Sequence, residues 1–318
     1  MILLLSNKRD LTMDYIVREL RNRQVCHYRL NSEELPETMV ILGNHSQDDW
    51  SIKAGDFEIR GSDIKSAYFR RPGIPQFEIN PENIAQADYL KNEWNALLKN
   101  IYWRIGSRWL NAPACIFLGE DKPRQLIIAR QIGFNVPISL ITNDVDEVIN
   151  YQKEYTLVAK PLKHALLEDV DSVVFTSRVP KIDKSASNSI KQAPIIFQEE
   201  IKKIYDVRVT VVGNQVFSCA IDSQTSEESS VDWRKGSNID LAHTVIELPD
   251  DVRNKCIEIT RNFGLKFSAI DLILDVHNKY WFLEINPNGQ WAWIENRTGL
   301  KLSKAIVDTL ISISYEGI

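Results

Sequence analysis

The segment from residue 267 to residue 290 constrains the fold more than any other part of the chain. It reads FSAIDLILDVHNKYWFLEINPNGQ, in which two apolar, β-branched and aromatic runs flank the polar pair His277-Asn278. This pattern predicts a β-hairpin with a two-residue loop. In the register that such a loop sets, Asp271 lies directly opposite Glu284.

The opposed acids predict a metal site. Directly paired strand residues have Cβ atoms about 4.5–5.5 Å apart, and like charges so placed are destabilising without compensation. Because side chains alternate along a strand, Asn286 shares the face of Glu284. Carboxylate and amide oxygens are hard ligands that Mg²⁺ accepts together with phosphate oxygens. We therefore expect Asp271, Glu284 and Asn286 to bind a divalent cation. The alternative, an exposed polar face, fits this apolar hairpin less well.

Composition argues against several classes of function. The chain has 318 residues, enough for two or three domains with substantial cores. Its formal net charge of −5 gives no basic excess for nucleic acid or an anionic membrane. No apolar run approaches the roughly 18–20 residues of a membrane span, and the N-terminal MILLLSNKRD indicates a buried strand rather than a signal peptide. The four cysteines are too dispersed for a zinc or disulfide motif, which indicates reduced thiols in a cytoplasmic protein.

The N-terminal part of the chain predicts a small α/β unit. Residues 1–5 form an apolar strand, a helix follows, and residues 39–42 form a second short strand. Further on, Arg70 and Arg71 leave a strand and precede Pro72. Two guanidinium groups at such a position can hold a carboxylate or a phosphate. A solvated strand end is an equally good interpretation of the same residues.

Two lysines occupy positions that suit a bound phosphate. Lys122 follows the helix cap Asp121, so its charge opposes the helix dipole at a position where an acid is preferred. Lys160 ends the apolar strand YTLVAK before a proline. Its stem can be buried while its ammonium group reaches an anion.

Two later segments carry charged residues whose role the local sequence leaves open. Residues 206–212 alternate between polar and apolar side chains, which predicts a strand with Asp206 and Arg208 on one face. These two residues form either a surface ion pair or one wall of a cleft. Residues 222–240 form a long polar loop that carries Asp232 and Arg234. Loops of that length in compact domains are usually functional or disordered.

Together these residues outline a nucleotide site. The chain has neither a GxxxxGK[ST] nor a GxGxxG motif, so dispersed residues have to hold the nucleotide. The ordered set resembles the ATP-grasp superfamily over roughly residues 113–311. The resemblance implies an α+β fold in which two α+β subdomains grip ATP, preceded by an N-terminal α/β domain. The implied boundaries are 1–112 for the N-terminal domain, 113–195 for the central subdomain and 196–318 for the C-terminal subdomain.

The resemblance also implies which residues contact ATP and magnesium. The residues that match phosphate contacts are Lys122, Lys160 and Arg208. The residues of the adenine- and ribose-binding hinge, in the segment QEEIKKIYDVRV, are Gln198, Glu199, Glu200, Ile201 and Asp206. The residues that match magnesium ligands are Asp271, Glu284 and Asn286. In this set the Glu199 carbonyl and the Ile201 amide would bind adenine, and Asp206 would bind the ribose hydroxyls.

A narrower resemblance concerns the substrate. FRRP near residue 70, VDWR at residues 231–234 and EINPNGQWAWIE at residues 284–295 are similar to the microviridin-type graspetide maturases, which macrocyclise ribosomal peptides. RimK-like glutamate ligases share the ATP site. The resemblance implies an ADP-forming ligase that activates a side-chain carboxylate as an acyl phosphate and joins it to a Ser or Thr hydroxyl or a Lys amine. The arginines that would hold the reacting groups are Arg70, Arg71, Arg208 and Arg234.

The same resemblance implies cofactors and partners. The cofactors are ATP and Mg²⁺, and the partner is a precursor peptide with a leader and an acidic core, bound by a homodimeric enzyme. One departure is the absence of glycine at residues 163–171, where the family's phosphate-covering loop is expected. Two alternatives stay open: a RimK-like ligase that adds an amino acid or a small metabolite to a carboxylate, and an ATP-binding regulator without ligation activity.

Overall fold

The computed structural model describes residues 1–76, 84–163, 166–167, 172–173, 175–226, 229–236 and 240–316. The strands are β1 (Ile2–Ser6), β2 (His27–Asn31), β3 (Met39–Leu42), β4 (Trp50–Ala54), β5 (Phe57–Arg60), β6 (Ser66–Phe69), β7 (Trp109–Leu110), β8 (Ser139–Thr142), β9 (Leu157–Lys160), β10 (Leu166–Leu167), β11 (Ser172–Val173), β12 (Ser177–Arg178), β13 (Ile195–Glu199), β14 (Lys203–Val212), β15 (Gln215–Ile221), β16 (His243–Val245), β17 (Phe267–Asp275) and β18 (Tyr280–Asn286). The helices are α1 (Leu11–Asn22), α2 (Ile84–Ile105), α3 (Pro113–Gly119), α4 (Lys122–Ile132), α5 (Val145–Tyr151), α6 (Ser187–Ile190), α7 (Asp250–Asn262), α8 (Ala292–Thr298) and α9 (Leu302–Glu316). The predicted mixture of helices and antiparallel strands, with an N-terminal α/β part, is confirmed.

The chain divides into two compact units. The first unit contains Met1–Ile116, Leu265–Phe267 and Asn288–Ile318, and the second contains Phe117–Gly264 and Ser268–Pro287. The C-terminal helices α8 and α9 therefore belong to the first unit. The division at residues 112 and 195 into three domains stays a prediction.

The first unit is built on a parallel sheet with the strand order β2-β1-β6-β7. Strand β1 reads ILLLS and is buried throughout, as expected for a parallel strand that is covered on both faces. Asp10 is the N-cap of helix α1, and its carboxylate accepts a hydrogen bond from the Thr12 amide. Helix α9 packs against α1 and β6. A second, antiparallel sheet has the order β3-β4-β5, and its buried face contributes to the same apolar core as Trp109.

The second unit contains two larger sheets. One has the order β12-β9-β13-β8, with antiparallel pairing between neighbours. The other has the order β16-β15-β14-β17-β18. Most of β14 is buried on both faces, including Asp206 and Arg208, which are 5% and 7% exposed. The surface ion pair that the sequence left open for these two residues is therefore wrong. Residues 163–171, where the sequence predicts the phosphate-covering loop, lie mostly outside the described residues.

The hairpin β17–β18 confirms the predicted pairing of Asp271 with Glu284. The loop that connects the two strands, however, differs from the predicted two-residue loop. The loop has three residues, because the Asp275 amide donates to the Lys279 carbonyl oxygen, and Asn278 at its end adopts a left-handed φ of 59°.

A bulge restores the predicted register further along the hairpin. Leu272 pairs with Phe282, whereas the next residue back, Asp271, pairs with Glu284, which leaves Leu283 as the extra residue of β18. The bulge compensates for the longer loop, so the acids lie opposite each other as the sequence predicted.

None of the described helices is long and apolar enough to cross a membrane.

Candidate active site

A cavity of about 270 Å³ in the second unit gathers most of the residues that the sequence singled out. Its lining includes the predicted cations Lys122, Lys160 and Arg234. It includes the predicted acids Asp206, Asp271 and Glu284. It also includes the whole predicted adenine hinge at residues 198–201.

The paired acids of the hairpin are each contacted by cations. Asp271 Oδ1 accepts a hydrogen bond from Arg208 Nη1 at 2.8 Å. The two oxygens of Glu284 lie 3.6 Å from Lys122 Nζ and 3.7 Å from Arg234 Nη1. Three cations therefore provide the compensation that the sequence argument required for two opposed carboxylates.

The two carboxyl groups differ in how strongly they hold a proton. Burial raises the pKa of Asp271, although the Arg208 charge lowers it, and the nearby charge of Glu284 raises it further. Burial also acts to raise the pKa of Glu284, but the charges of Lys122 and Arg234 outweigh it and lower that pKa. Glu284 is therefore the carboxylate that stays ionised more readily.

The donor set of this face suits magnesium. Asp271 and Glu284 supply carboxylate oxygens at directly opposed positions, and Asn286 supplies an amide oxygen on the same strand as Glu284. Among the described residues, no group of three or more His, Cys, Asp or Glu side chains is arranged to hold a metal ion. Mg²⁺ commonly takes only one or two protein carboxylates and completes its shell with phosphate and water oxygens. The residues present fit such an ion, and their role as its ligands stays a prediction.

Lys160 reaches the cavity from the end of β9. Its Nζ donates to Gln198 Oε1 at 2.7 Å, and the Gln198 amide donates in turn to Ser139 Oγ at 2.9 Å. Burial lowers the pKa of Lys160 to about 8, although the Glu284 charge acts to raise it. The charged form of Lys160 is therefore stabilised when an anion binds beside it.

Lys122 lies beside the same acids as Lys160. Its Nζ donates to the Pro161 carbonyl oxygen at 3.1 Å and contacts Glu284. These partners account for the lysine in the first turn of α4, where the helix dipole disfavours a cation. The sequence prediction that Lys122 is placed for an anionic group is consistent with this position.

The predicted adenine hinge is the connection from β13 to β14. Glu199 is the last residue of β13, and Ile201 lies in the connection that follows it. The Glu200 amide donates to the Thr156 carbonyl oxygen at 2.8 Å, and its carboxylate forms an ion pair with Arg178 at 2.8 Å. The hinge backbone is therefore held in place along the cavity. The pairing of the Glu199 carbonyl and the Ile201 amide with adenine stays a prediction.

Asp206 has a partner that the sequence did not predict. Its Oδ2 accepts hydrogen bonds from Lys203 Nζ at 2.6 Å and from Ser223 Oγ. Burial raises the pKa of Asp206, although the charge of Lys203 acts to lower it. Strand alternation gives no sign of this contact, since residues three apart on a strand point to opposite faces.

The predicted loop arginine is anchored by its neighbour. Asp232 is 4% exposed and accepts hydrogen bonds from Arg234 Nε at 2.8 Å and Nη2 at 2.7 Å. The Thr176 amide donates to the same carboxylate at 3.1 Å. Burial acts to raise the pKa of Asp232, but the Arg234 charge and these hydrogen bonds lower it to about 2. The Arg234 side chain, 45% exposed, is thus held in one orientation by an acid that is ionised at neutral pH.

Arg70 has a different environment from the one predicted for a substrate-binding arginine. It lies in the first unit with no exposed surface. Its Nη1 donates to the Asn288 carbonyl and side-chain oxygens and to the Gly289 carbonyl oxygen, and its Nη2 donates to Gln290 Oε1. These contacts hold the segment that directly follows the hairpin. The neighbouring Arg71 is exposed, with a left-handed φ of 43°.

A buried glutamine holds strand β18, and the sequence analysis missed it. Gln125 on α4 is 2% exposed. Its Nε2 donates to the carbonyl oxygens of Gly119 and Ile285, and its Oε1 accepts from the Ile285 amide at 3.0 Å. Ile285 lies between Glu284 and Asn286, so this contact fixes the backbone that carries both. No local pattern distinguishes Gln125 from an exposed helix residue.

Known proteins resemble this chain over most of its length. A probable alpha-L-glutamate ligase of Klebsiella pneumoniae (strain 342) is 25% identical over 212 residues, covering 64% of this chain and 67% of that protein. The macrocyclase MdnC of Microcystis aeruginosa, solved with the precursor peptide MdnA, is 26% identical with a TM-score of 0.85, covering 98% and 99% of the two chains. A RiPP-associated ATP-grasp ligase of Chryseobacterium gregarium, solved with ADP and a leader and core peptide, is 28% identical with a TM-score of 0.87, covering 98% and 96%.

A family model also matches this chain. The RimK-like ATP-grasp domain matches residues 119–310, more than half of the sequence. That range contains every residue of the cavity discussed above. The chain therefore belongs to the RimK-like ATP-grasp family of ligases.

Proposed function

We propose that this protein is an ATP-dependent, ADP-forming ligase that macrocyclises a ribosomal precursor peptide. In this function a side-chain carboxylate of the peptide is joined to a Ser or Thr hydroxyl or a Lys amine of the same peptide. The observation that carries the ligase part is the cavity itself, where the paired acids Asp271 and Glu284 lie among Lys122, Lys160 and Arg234. This arrangement suits a magnesium-bound triphosphate beside an anionic substrate.

The first chemical step is the transfer of a phosphoryl group. A carboxylate oxygen of the peptide attacks the γ-phosphorus of ATP, the bond to the bridging oxygen breaks, and an acyl phosphate and ADP form. Such a reaction depends on positioning and on charge stabilisation rather than on covalent catalysis by the protein. Lys122 and Lys160 offset the phosphate charges, and Arg208 stabilises the transferred group. Asp271, Glu284 and Asn286 would hold Mg²⁺, which would supply Lewis-acid neutralisation of the phosphate charge.

Arg234 is the residue that we assign to the substrate anion. Its guanidinium group is tied to Asp232 on one edge, and it lies 3.7 Å from Glu284 Oε1. An arginine has five donors in a planar fork, so two bonds to Asp232 leave further donors for a carboxylate or an acyl phosphate. In the second step the peptide hydroxyl or amine attacks the acyl carbon, phosphate leaves, and an ester or amide bond forms with release of a proton.

The peptide part of the proposal is supported by the extent of the structural similarity. MdnC and the C. gregarium ligase, both solved with peptides, are 26% and 28% identical to this chain and match 98% of it with TM-scores of 0.85 and 0.87. For this chain we propose a precursor peptide with a leader and an acidic core as the partner, and a homodimeric enzyme, as the sequence resemblance implies. Arg71, which is exposed in the first unit, remains in the proposal as a residue that contacts the peptide, whereas the buried Arg70 acts by holding residues 288–290.

One observation favours a second function. The curated relative is described as a probable alpha-L-glutamate ligase, which would add a free amino acid to a carboxylate. Both functions use the same ATP site and the same acyl phosphate. They differ in the nucleophile, which belongs to the same peptide in macrocyclisation and to a separate molecule in addition.

Mass spectrometry separates the two functions. The purified protein is incubated with ATP, Mg²⁺ and any short acidic peptide, containing Ser, Thr or Lys, that a neighbouring gene is found to encode, with and without free glutamate. Macrocyclisation is expected to remove the mass of one water for each ring, independently of glutamate. A gain in mass that requires free glutamate would overturn the proposal and support the second function.

The assignment of Arg234 is tested with a matched pair of variants. Arg234→Ala is expected to abolish peptide turnover, because it removes the guanidinium group beside Glu284. Lys235→Ala removes the neighbouring cation, which donates to Ser177 Oγ instead, and is expected to leave turnover close to the native rate. Native turnover by Arg234→Ala would remove Arg234 from the mechanism.

A further inference from the structure

The Asp206 carboxylate divides its two oxygens between two tasks. Oδ2 accepts from both Lys203 Nζ, at 2.6 Å, and Ser223 Oγ. Asp206 lines the cavity, and no donor from the described residues reaches its Oδ1. A carboxylate oxygen offers two acceptor positions, so Oδ1 is available to a hydroxyl group of a bound ligand.

Lys203 connects this carboxylate to the arginine-bearing segment. Its side chain is only 5% exposed, and its Nζ also donates to the Val231 carbonyl oxygen at 3.2 Å. Val231 directly precedes Asp232, the anchor of Arg234. A single buried ammonium group thus contacts both Asp206 and the backbone that carries the substrate-binding arginine.

Ser223 provides a second connection between the same two places. It donates to Asp206, and its carbonyl oxygen accepts from Ser229 Oγ at 2.7 Å. Gln224 donates to Ser223 Oγ and to the Ser230 carbonyl oxygen, both at 3.1 Å. Ser223 therefore links Asp206 to Ser229 and, through Gln224, to Ser230, which lie in the segment that carries Arg234.

We propose that Lys203 is a positioning residue that couples the binding of the nucleotide ribose at Asp206 to the ordering of residues 229–235, which carry Arg234. The inference rests on the proposed function only in that a nucleotide occupies this cavity. Occupation of the ribose site thereby prepares the substrate arginine before the peptide reacts.

The physical basis is cooperativity between hydrogen bonds that share one carboxylate. A ribose hydroxyl that donates to Oδ1 fixes the orientation of the Asp206 carboxylate, and with it the position of Oδ2. Oδ2 in a fixed position holds Lys203 Nζ and Ser223 Oγ in place through its hydrogen bonds. Lys203 then holds the Val231 carbonyl oxygen more firmly, and Asp232 with Arg234 follows along the chain.

Amide hydrogen exchange tests the coupling without any peptide substrate. The full chain is measured alone, with saturating ADP, and with saturating 2′,3′-dideoxy-ADP, which lacks the hydroxyls that Asp206 would bind. In the native protein, ADP is expected to slow exchange of residues 229–235 by about tenfold more than the dideoxy analogue. Equal protection by the two nucleotides would overturn the proposal.

Three variants locate the effect at Lys203. Lys203→Met is expected to lose the ADP-specific protection of residues 229–235 while ADP still binds at saturation, and Lys203→Arg is expected to restore part of it. Lys202→Met is the control, because Lys202 is exposed and lies outside the cavity. Its protection pattern is expected to equal that of the native protein. Retention of the full ADP effect in Lys203→Met would overturn the proposal.

A second pair of variants keeps the proposal testable if Lys203→Met does not fold. Lys203→Met combined with Asp206→Asn removes both charges, so that no unpaired charge is buried. Ser223→Ala removes only the second connection and is expected to halve the ADP-specific protection or more. If either variant keeps the native ADP effect, the coupling through Asp206 is refuted. Since these measurements use nucleotide alone, a failure of peptide macrocyclisation does not change their outcome.

Discussion

Replacement of Lys160 by methionine should stabilise the protein and weaken nucleotide binding at the same time. Burial lowers the pKa of Lys160 from 10.5 to about 8, so the folded protein holds an ammonium group in an unfavourable place. At about 1.36 kcal/mol per pKa unit, the shift corresponds to roughly 3 kcal/mol. Because the side chain is only partly buried, we expect Lys160→Met to raise the free energy of unfolding by about 1–2 kcal/mol at neutral pH.

The sign of this effect sets its dependence on pH. Between the folded pKa of about 8 and the unfolded value of 10.5, the unfolded chain binds more protons at Lys160 than the folded chain does. Native stability at this residue therefore rises with pH through that window, and the penalty is fully present below it. The advantage of Lys160→Met should be largest at neutral pH and should disappear as the pH passes about 10.

Nucleotide binding should show the opposite linkage. Phosphate groups beside Lys160 favour its charged form, so the native protein should take up protons when ADP binds near pH 8 and lose affinity above it. Urea unfolding across the pH range measures the first effect, and calorimetry in two buffers of different ionisation enthalpy measures the second. Lys181→Met, at an exposed lysine, is the control. A less stable Lys160→Met at neutral pH, or a stability difference that does not change with pH, would refute the argument.

Three further predictions follow from the contacts of other charged residues. Glu284→Gln removes one of the two opposed carboxylates and should lower Mg²⁺-dependent ADP release by at least about 100-fold; an unchanged response to Mg²⁺ titration would contradict the metal assignment. Asp232→Asn should cost about 1–2 kcal/mol of stability at neutral pH, because the lowered pKa stabilises the native fold above the unfolded value of 3.8. Thermal unfolding against pH should show that cost shrink as the pH falls towards about 2, and a constant difference would count against it. Arg70→Lys should lower the free energy of urea unfolding by about 2–4 kcal/mol, since lysine does not reproduce the guanidinium fork; a change below about 0.5 kcal/mol would assign Arg70 a role outside the fold.

The residues that sequence analysis found are those whose chemistry is visible within a single strand or helix. Lys160 ends an apolar strand, and Lys122 stands in a first turn where a cation is disfavoured, so each is conspicuous in its own segment. Lys203 is inconspicuous because its partner Asp206 lies three residues away on the same strand, where alternation predicts opposite faces. Gln125 and Thr176 are inconspicuous because their partners come from other elements. The Thr176 amide, for example, donates to Asp232, which lies 56 positions further along the chain. Such contacts depend on the packing of distant elements, which one sequence does not specify.

The local sequence around Arg70 supported two interpretations equally. The two interpretations were an anion clamp and a solvated strand end, and its surroundings in the fold match neither. The guanidinium group is fully buried and donates to oxygens about 218–220 positions away in the chain. Since an arginine carries no local sign of being buried, only the hydrogen bonds from Arg70 to residues 288–290 reveal this role.

The hairpin shows why the central prediction succeeded although one of its assumptions was wrong. A three-residue loop on its own would place Leu283 opposite Asp271, and Glu284 would then lie on the other face of the sheet. The bulge at Leu283 shifts β18 by one residue and returns Glu284 to the face of Asp271. Bulges often re-aim side chains beside active sites, and this one brings together the two acids on which the predicted metal site depends. The apolar pattern was sufficient to predict the strands. With a three-residue loop, however, the acids pair only because the bulge is also present.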